Sequence, residues 1–254
     1  MSRIKSRAYW MHKGKLNTGS VQDYFPFFDG ERHVISLVGG GGKSTLLAYL
    51  AQCFAARGMR TVVMTTTRMA CPAHVCMSIE DCRVCWARGE YAACGERTEN
   101  GKFRAPQDAL LRELLAEADA VIVEADGAHM RACKAPAEFE PVILPESDIV
   151  IGVMGVEVMG GMIGEVCHRP EHVCALLGCT EDHGLTAQDM ARILTSEKGT
   201  RKNVEERAFY VVINKCDDEK RIADGMRVMQ TLREYGQGNC VLTSFVRYKV
   251  QIAD

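Results

Sequence analysis

Two kinds of apolar pattern alternate along this chain. Short runs rich in β-branched residues predict strands at residues 33–38, 61–65, 120–124, 148–154, 208–213 and 239–243. Between them, apolar residues recur every three or four positions, which predicts helices at about residues 44–57, 106–118, 170–177, 186–195 and 217–235. Strands that alternate with helices predict an α/β fold in which helices sandwich a mostly parallel sheet.

The first predicted strand runs into a glycine-rich loop. Its residues are Gly39, Gly40, Gly41, Gly42, Lys43, Ser44 and Thr45. Glycines let backbone N–H groups converge on one point, and the N-terminus of the following helix adds positive potential, so this order of parts is typical of phosphate binding. Lys43 would stabilise the outer phosphates of GTP or ATP, and Ser44 would ligate Mg²⁺. A standard loop of this type has its first glycine where this chain has Leu37, so the loop is short. The alternative is a flexible turn beside a surface lysine.

Polar residues also follow the second and third predicted strands. Thr66 lies in a run of three threonines that could reach a phosphate or a magnesium-bound water, although threonine also simply favours strands. Glu124 and Asp126 end the third strand, where a carboxylate would hold Mg²⁺ or orient an attacking water. We therefore expect catalytic roles for Lys43, Glu124 and Asp126 and metal ligation by Ser44 and Asp126. A solvated acidic turn is the alternative. Together with the loop, these residues predict a three-layer architecture like that of P-loop NTPases.

A possible base-recognition motif follows the fifth strand. Asn214, Lys215 and Asp217 form the Asn-Lys-x-Asp pattern with which GTPases read guanine, whose N1 and N2 donors match a carboxylate. Ser244 ends the next strand, where GTPases place their last base-contacting loop. Asp217 could instead merely cap the helix that follows it. The sequence therefore leaves GTP and ATP both open.

Length and charge limit the remaining possibilities. With 254 residues, the chain suits one α/β domain at residues 31–250, with an N-terminal extension at residues 1–30 and a cysteine-rich insertion at about residues 71–100. A net charge of −2 gives no broad electrostatic argument for nucleic acid or an anionic membrane. No apolar run approaches the roughly 20 residues of a membrane span. We expect a cytoplasmic protein.

In order along the chain, several motifs resemble those of the YqeC family of selenium-dependent hydroxylase accessory proteins. They are residues 34–45, Thr65-Thr66-Thr67, Glu124-Ala125-Asp126-Gly127, Lys134-Ala135-Pro136-Ala137-Glu138, Glu140-Pro141-Val142-Ile143, His168-Arg169-Pro170-Glu171 and Asn214-Lys215-x-Asp217. The resemblance covers residues 33 to about 244 and implies a P-loop nucleotide-binding protein that assists the maturation of selenium-dependent molybdenum hydroxylases. Its partners would be those enzymes or the proteins that assemble their cofactor. Lys134, His168 and Arg169 could meet the phosphates or a second substrate, or could be ordinary loop residues.

The cysteine-rich segment leaves a further possibility open. The twelve cysteines suit a reducing compartment, where thiols are core residues, metal ligands or catalysts. A looser likeness to nickel-insertion GTPases implies that Cys71 with His74, and Cys82 with Cys85, could carry a metal or selenium species. Three hypotheses follow: a nucleotide-hydrolysing maturation factor, a kinase- or ligase-like enzyme that activates a small substrate, and a cargo-binding module whose nucleotide site is structural.

Overall fold

A computed structural model describes residues 3–248. Its strands are β1 (Arg3–His12), β2 (Lys15–Gly19), β3 (His33–Gly39), β4 (Thr61–Thr65), β5 (Arg68–Ala70), β6 (Ala92–Ala93), β7 (Glu96–Arg97), β8 (Lys102–Arg104), β9 (Ala120–Glu124), β10 (Cys133–Lys134), β11 (Ile149–Gly155), β12 (Cys167–His168), β13 (Ala208–Asn214) and β14 (Cys240–Tyr248). Its helices are α1 (Val21–Tyr24), α2 (Lys43–Ala55), α3 (Ile79–Ala87), α4 (Asp108–Glu117), α5 (Ile163–Val166), α6 (Pro170–Leu177), α7 (Ala187–Thr195) and α8 (Glu219–Glu234), with a 3-10 turn at Val156–Val158. The six strands and five helices expected from the apolar pattern are confirmed, with ends that differ by at most two residues except for β14, which continues five residues beyond its predicted end.

Nine strands form one large sheet in the order β2-β1-β14-β13-β11-β3-β9-β4-β6. Neighbouring strands from β14 to β6 are parallel. The expected α/β fold with a mostly parallel sheet is therefore confirmed. Strand β3 lies in the interior of this parallel part, between β11 and β9, so the loop that follows it opens at the centre of the sheet edge.

Helices cover both faces of the sheet because successive residues of a strand point to opposite sides. On one face, Ile35 and Leu37 of β3 pack in a core cluster with Phe54 of α2. On the other face, Val34 packs in a cluster with Leu114 of α4, and Val38 belongs to a cluster that includes residues of α7 and α8. The ends of the central strands are thus held rigidly between two helical layers.

The N-terminal residues join the same sheet. Strand β1 pairs antiparallel with β14 and also with β2. Phe25 and Phe27 then stack together with ring centroids 4.6 Å apart, and Phe27 also stacks on Phe54 of α2. The N-terminal strands therefore extend the sheet at its edge, and the aromatic residues after them pack on its core.

The cysteine-rich segment is folded around a small sheet of its own. Strands β5, β8 and β7 pair antiparallel in that order. Helix α3 contacts β6, and β6 extends the large sheet. The division into an extension, one domain and an insertion remains a prediction. Within residues 3–248, no helix is both long enough and apolar enough to cross a bilayer.

Candidate functional site

The glycine loop, residues 39–42, connects β3 to α2 in a tightly enclosed path. A Cβ atom on Gly39 would lie 2.3 Å from the carbonyl oxygen of Val153, and one on Gly41 would lie 2.2 Å from the backbone nitrogen of Gly155. Both glycines also have positive φ angles, +92° and +79°, which L side chains rarely adopt. Backbone contact with the end of β11 and the loop's own conformation therefore both require glycine here.

The backbone N–H groups of this loop divide into two sets. Those of Gly40 and Gly41 donate to the carbonyls of Val153 and Arg131, at 2.8 and 3.2 Å. Within the first turn of α2, which starts at Lys43, the N–H of Thr45 donates to the carbonyl of Gly42 at 3.1 Å, whereas helix geometry provides no intrahelical acceptor for the N–H groups of Lys43 and Ser44. The first set fixes the loop, and the second is the one that could bind an anion.

Lys43 points inward and is only 4% exposed. Its ammonium donates to the carbonyl of Gly39 and lies 2.9 Å from Oδ1 of Asp126. The other oxygen of Asp126 accepts the N–H of Gly39 at 3.0 Å. A phosphate that entered this loop would therefore compete with Asp126 for the same lysine.

Glu124 lies on the other side of the helix start. Its Oε2 accepts a hydrogen bond of 2.8 Å from the hydroxyl of Ser44, and its backbone pairs with Leu37 in the parallel ladder between β3 and β9. A hydroxyl beside a carboxylate is the kind of oxygen donor set that Mg²⁺ prefers. Of the two carboxylates expected from the sequence, Glu124 contacts Ser44, whereas Asp126 contacts Lys43.

A chain of alternating charges continues from Asp126 into the protein. Lys134 lies 3.2 Å from Oδ2 of Asp126 and 2.6 Å from Oε2 of Glu140, which also accepts a hydrogen bond from Arg169. Burial alone would raise the pKa of Glu140, but its hydrogen bonds and attraction to Lys134, and then to Arg169, hold that pKa below its usual value. Three cations thus share two buried carboxylates, and a positive charge is left over.

Sequence reasoning did not single out Glu140 as a site residue. Glu140 lies in the segment Glu140-Pro141-Val142-Ile143, one of the motifs that resemble the YqeC family, and this was the available signal of a role. The sequence does not show which cation a carboxylate meets. The side chains of Lys134 and Arg169 are held in position because both form ion pairs with Glu140.

Thr65, the last residue of β4, and Thr66, the next residue, both hydrogen-bond to the backbone of other segments. The hydroxyl of Thr65 donates to the carbonyl of Glu124 at 2.9 Å, and that of Thr66 donates to the carbonyl of Val142 at 2.7 Å. Both hydroxyl groups therefore already donate their protons to backbone carbonyls. A contact of Thr66 with nucleotide remains a prediction.

Asn214 holds the glycine loop from the side of β13. Its side-chain amide donates to the carbonyl of Gly41 at 2.8 Å, and its amide oxygen accepts from the hydroxyl of Thr243 at 2.9 Å. A Cβ on Gly42 would lie 2.3 Å from the same amide nitrogen. The first residue of the Asn-Lys-x-Asp motif thus links two strand ends to the loop.

The last residue of that motif is more open to solvent. Oδ1 of Asp217 accepts a 2.6 Å hydrogen bond from the hydroxyl of Ser244, and Oδ2 lies 3.3 Å from the guanidinium of Arg221. The carboxylate is 46% exposed. The backbone of Lys215 has a φ of +63°, and its ammonium pairs with Glu157. Asp217 and Ser244 are in contact, but Ser244 does not end its strand as the sequence predicts, because β14 continues to Tyr248 and pairs there with β1.

The cysteine-rich segment brings together a different set of thiols from the one that the sequence suggested. The sulfur atoms of Cys76 and Cys85 lie 3.7 Å apart. Among residues 3–248, no group of three or more His, Cys, Asp or Glu side chains is arranged to hold a metal ion. The predicted pairs Cys71 with His74 and Cys82 with Cys85 therefore do not form such a centre in the described structure, and all twelve cysteines are free thiols.

The family model described as YqeC protein matches residues 35–171, more than half of the chain. The chain belongs to the YqeC family. It is also 32% identical over 222 residues to the Uncharacterized protein YqeC of Escherichia coli (strain K12), covering 80% of this chain and 83% of that protein. The residues matched by the YqeC model include the glycine loop and the whole charge chain from Lys43 to Arg169, whereas Asn214 and Asp217 lie beyond them.

Proposed function

We propose that this protein binds a nucleoside triphosphate with Mg²⁺ at the glycine loop and hydrolyses it, within a three-layer architecture like that of P-loop NTPases. The observation that carries the proposal is the 2.8 Å contact between Ser44 and Glu124, at the start of α2 and the end of the neighbouring strand. It puts a hydroxyl and a carboxylate beside the N–H groups of Lys43 and Ser44 at the start of the helix, which together suit a metal-bound phosphate.

The proposed roles follow from what each side chain touches. Lys43 would exchange Asp126 for the outer phosphates and stabilise the charge that develops on them during hydrolysis. Ser44 and Glu124 would hold Mg²⁺, directly or through water, and Mg²⁺ would supply further charge neutralisation. Asp126 had been expected from the sequence to bind the metal, but its contacts with two lysines and the Gly39 N–H favour a role as the counter-ion of Lys43.

For the base, Asp217 is the residue we expect to recognise guanine. Its carboxylate is half exposed and oriented by Ser244, so it could accept hydrogen bonds from the N1 and N2 donors of guanine. Adenine lacks this pair of donors. Asn214 would act indirectly, because both ends of its side chain already hold the loop and Thr243.

The biological role is proposed from the family resemblance. The protein would act in the cytoplasm as an accessory factor in the maturation of selenium-dependent molybdenum hydroxylases, with those enzymes or their cofactor-assembly proteins as partners. Nucleotide hydrolysis would reset a conformation that the partner senses. The buried charge chain offers a physical route for this, because displacement of Asp126 from Lys43 changes the balance at Lys134 and Glu140.

The first experiment is calorimetric titration of the protein with GTP and with ATP in the presence of Mg²⁺. We expect Lys43→Ala to abolish binding, while Lys15→Ala, which removes an exposed lysine on the edge strand β2, leaves it unchanged. Thermal denaturation of both variants checks that each is folded. Tight nucleotide binding by a folded Lys43→Ala variant would refute the assignment of the loop.

The second experiment measures turnover of GTP and of ATP by the purified protein, with and without a candidate hydroxylase partner. A maturation factor should hydrolyse nucleotide by itself and faster with its partner. Turnover only with a small second substrate would favour the kinase- or ligase-like alternative. Binding without turnover in either condition would favour a structural nucleotide site.

A further inference from the structure

A cleft of about 450 Å³ shares only Thr66 with the predicted nucleotide contacts and is lined by no residue of the glycine loop. Its walls include Thr66, Arg68, Arg104, Gly127, His129 and Phe139. All but Phe139, which comes after β10, follow β4 or β9 or lie on the small sheet of the cysteine-rich segment. The cleft therefore lies at the edge of the sheet where ligands of parallel α/β proteins usually bind.

The charges around this cleft do not cancel. Glu140 lines it, but that carboxylate already pairs with Lys134 and Arg169. Arg104 is paired with Glu96. Arg68 is exposed and has no acidic partner within residues 3–248. An excess of positive charge remains, and an anionic group entering the cleft would offset it.

One wall of the cleft is apolar and open. The ring of Phe139 is 71% exposed, and the guanidinium of Arg169 lies 5.6 Å from its centroid. An exposed aromatic face beside cationic groups suits a ligand that combines a flat ring with a negative charge, since the ring buries apolar area while the charge meets the cations.

The position of the cleft relates it to the nucleotide. Strands β3, β9 and β4 are consecutive in the sheet, and neighbouring strands lie about 4.8 Å apart. A ligand above the ends of β9 and β4 would thus lie about 5–10 Å to the side of the glycine loop. The charge chain from Lys43 to Glu140 connects the two positions through buried contacts.

We propose that this cleft binds a second ligand, a small molecule with an oxyanion, either phosphate or carboxylate, attached to a flat ring. Arg68 attracts the oxyanion, and Phe139 packs against the ring. That this ligand is a second substrate next to the terminal phosphate rests on the proposed function, but binding in the cleft does not require nucleotide.

The test uses calorimetric titration with phenyl phosphate, benzoate and inorganic phosphate. We expect at least one of the two ring-bearing anions to bind, and to bind more tightly than inorganic phosphate. The phenyl phosphate and benzoate arms identify which oxyanion the cleft prefers. We expect Arg68→Glu to weaken binding about tenfold or more, because it replaces attraction by repulsion at short range. Arg112→Glu reverses an exposed arginine on α4 outside the cleft and should leave the affinity unchanged.

Two further variants separate this inference from the nucleotide site. Phe139→Ala, at an exposed position, should remove the advantage of phenyl phosphate over inorganic phosphate. Lys43→Ala should change phenyl phosphate affinity less than threefold even though it abolishes nucleotide binding. Loss of phenyl phosphate binding in Lys43→Ala but not in Arg68→Glu would mean that the probe occupies the glycine loop, and the cleft assignment would be wrong. Failure of both ring-bearing anions to bind at millimolar concentration would also overturn it.

Discussion

Replacement of Asp126 by Asn tests how the glycine loop is balanced electrostatically. The amide has nearly the same shape as the carboxylate but no charge. In the structure, one oxygen of Asp126 lies 2.9 Å from Lys43, and the other lies 3.2 Å from Lys134 and 3.0 Å from the N–H of Gly39. All three side chains are at most 4% exposed, so solvent cannot replace the lost charge.

The expected magnitude follows from these contacts. Removal of one partner of a buried ion pair typically costs about 3–5 kcal/mol, because the other charge stays buried and unpaired. Lys134 keeps Glu140 at 2.6 Å, so only Lys43 loses its carboxylate, and we expect the low end, about 3 kcal/mol. For a chain of this size, the corresponding fall in Tm is roughly 6–12 °C.

The same substitution should strengthen anion binding, although it destabilises the fold. An anion in the loop no longer competes with Asp126, so pyrophosphate should bind Asp126→Asn more tightly than the unmodified protein and should restore much of the lost Tm. Thermal denaturation with and without pyrophosphate measures both effects. Glu146→Gln makes the same chemical change at an exposed residue and should show neither.

Two results would refute this reasoning. An Asp126→Asn variant as stable as the unmodified protein would mean that the buried pair with Lys43 is not formed. Weaker binding of magnesium nucleotide, with no gain in pyrophosphate affinity, would mean instead that Asp126 is a metal ligand, as the sequence first suggested.

Three further expectations concern single residues. Glu124→Gln should weaken magnesium-dependent nucleotide binding at least tenfold but leave pyrophosphate binding without Mg²⁺ unchanged, because Glu124 contacts Ser44 and not Lys43; equal losses in both titrations would contradict the metal role. Asp217→Asn should reduce the preference for GTP over ATP in a competition assay, and equal competition by the two nucleotides in the parent protein would remove this motif from the account. Burial, and then the charges of Arg169, His129 and Lys134, lower the pKa of His168 below 6.5. The unfolded chain therefore binds more protons just below pH 6.5, and the folded protein loses stability as the pH falls through that value. His168→Gln should flatten this part of the stability profile, whereas His12→Gln, at an exposed position, should not.

The charge chain gives the site a property that its separate residues lack. Lys43, Asp126, Lys134, Glu140 and Arg169 are linked by consecutive contacts, so a change at one end alters the electrostatic balance at the other. Glu140, near one end of this chain, lines the cleft. Lys43, at the other end, donates to the carbonyl of Gly39 in the glycine loop. The effect of one position on anion affinity at the other should stay within the threefold limit expected for Lys43→Ala, because Glu140 remains paired with Lys134 and Arg169.

The sequence by itself determined the elements and their order. Strand and helix patterns depend on which face of a local element is buried, and this repeats every two or every three to four residues, so β3, α2, β9 and β13 were all predicted. The glycine loop was predicted too, because four consecutive glycines followed by Lys-Ser-Thr have few other physical reasons to occur between a strand and a helix. The motif pattern also suggested that Ser244 lies near Asp217, and the two are in contact although β14 continues past Ser244 to Tyr248.

Only the tertiary structure decided which side chains meet. Glu124 and Asp126 are two residues apart, yet one contacts Ser44 and the other contacts Lys43, because β9 ends at Glu124 and the chain then leaves the regular strand. Asn214 reaches Gly41 across 173 positions of sequence. Contacts of this kind depend on the packing of distant segments, for which a local pattern carries no information. The same reason explains why the pairing of β1 with β14, the contact of Cys76 with Cys85 and the role of Glu140 emerged only from the folded chain.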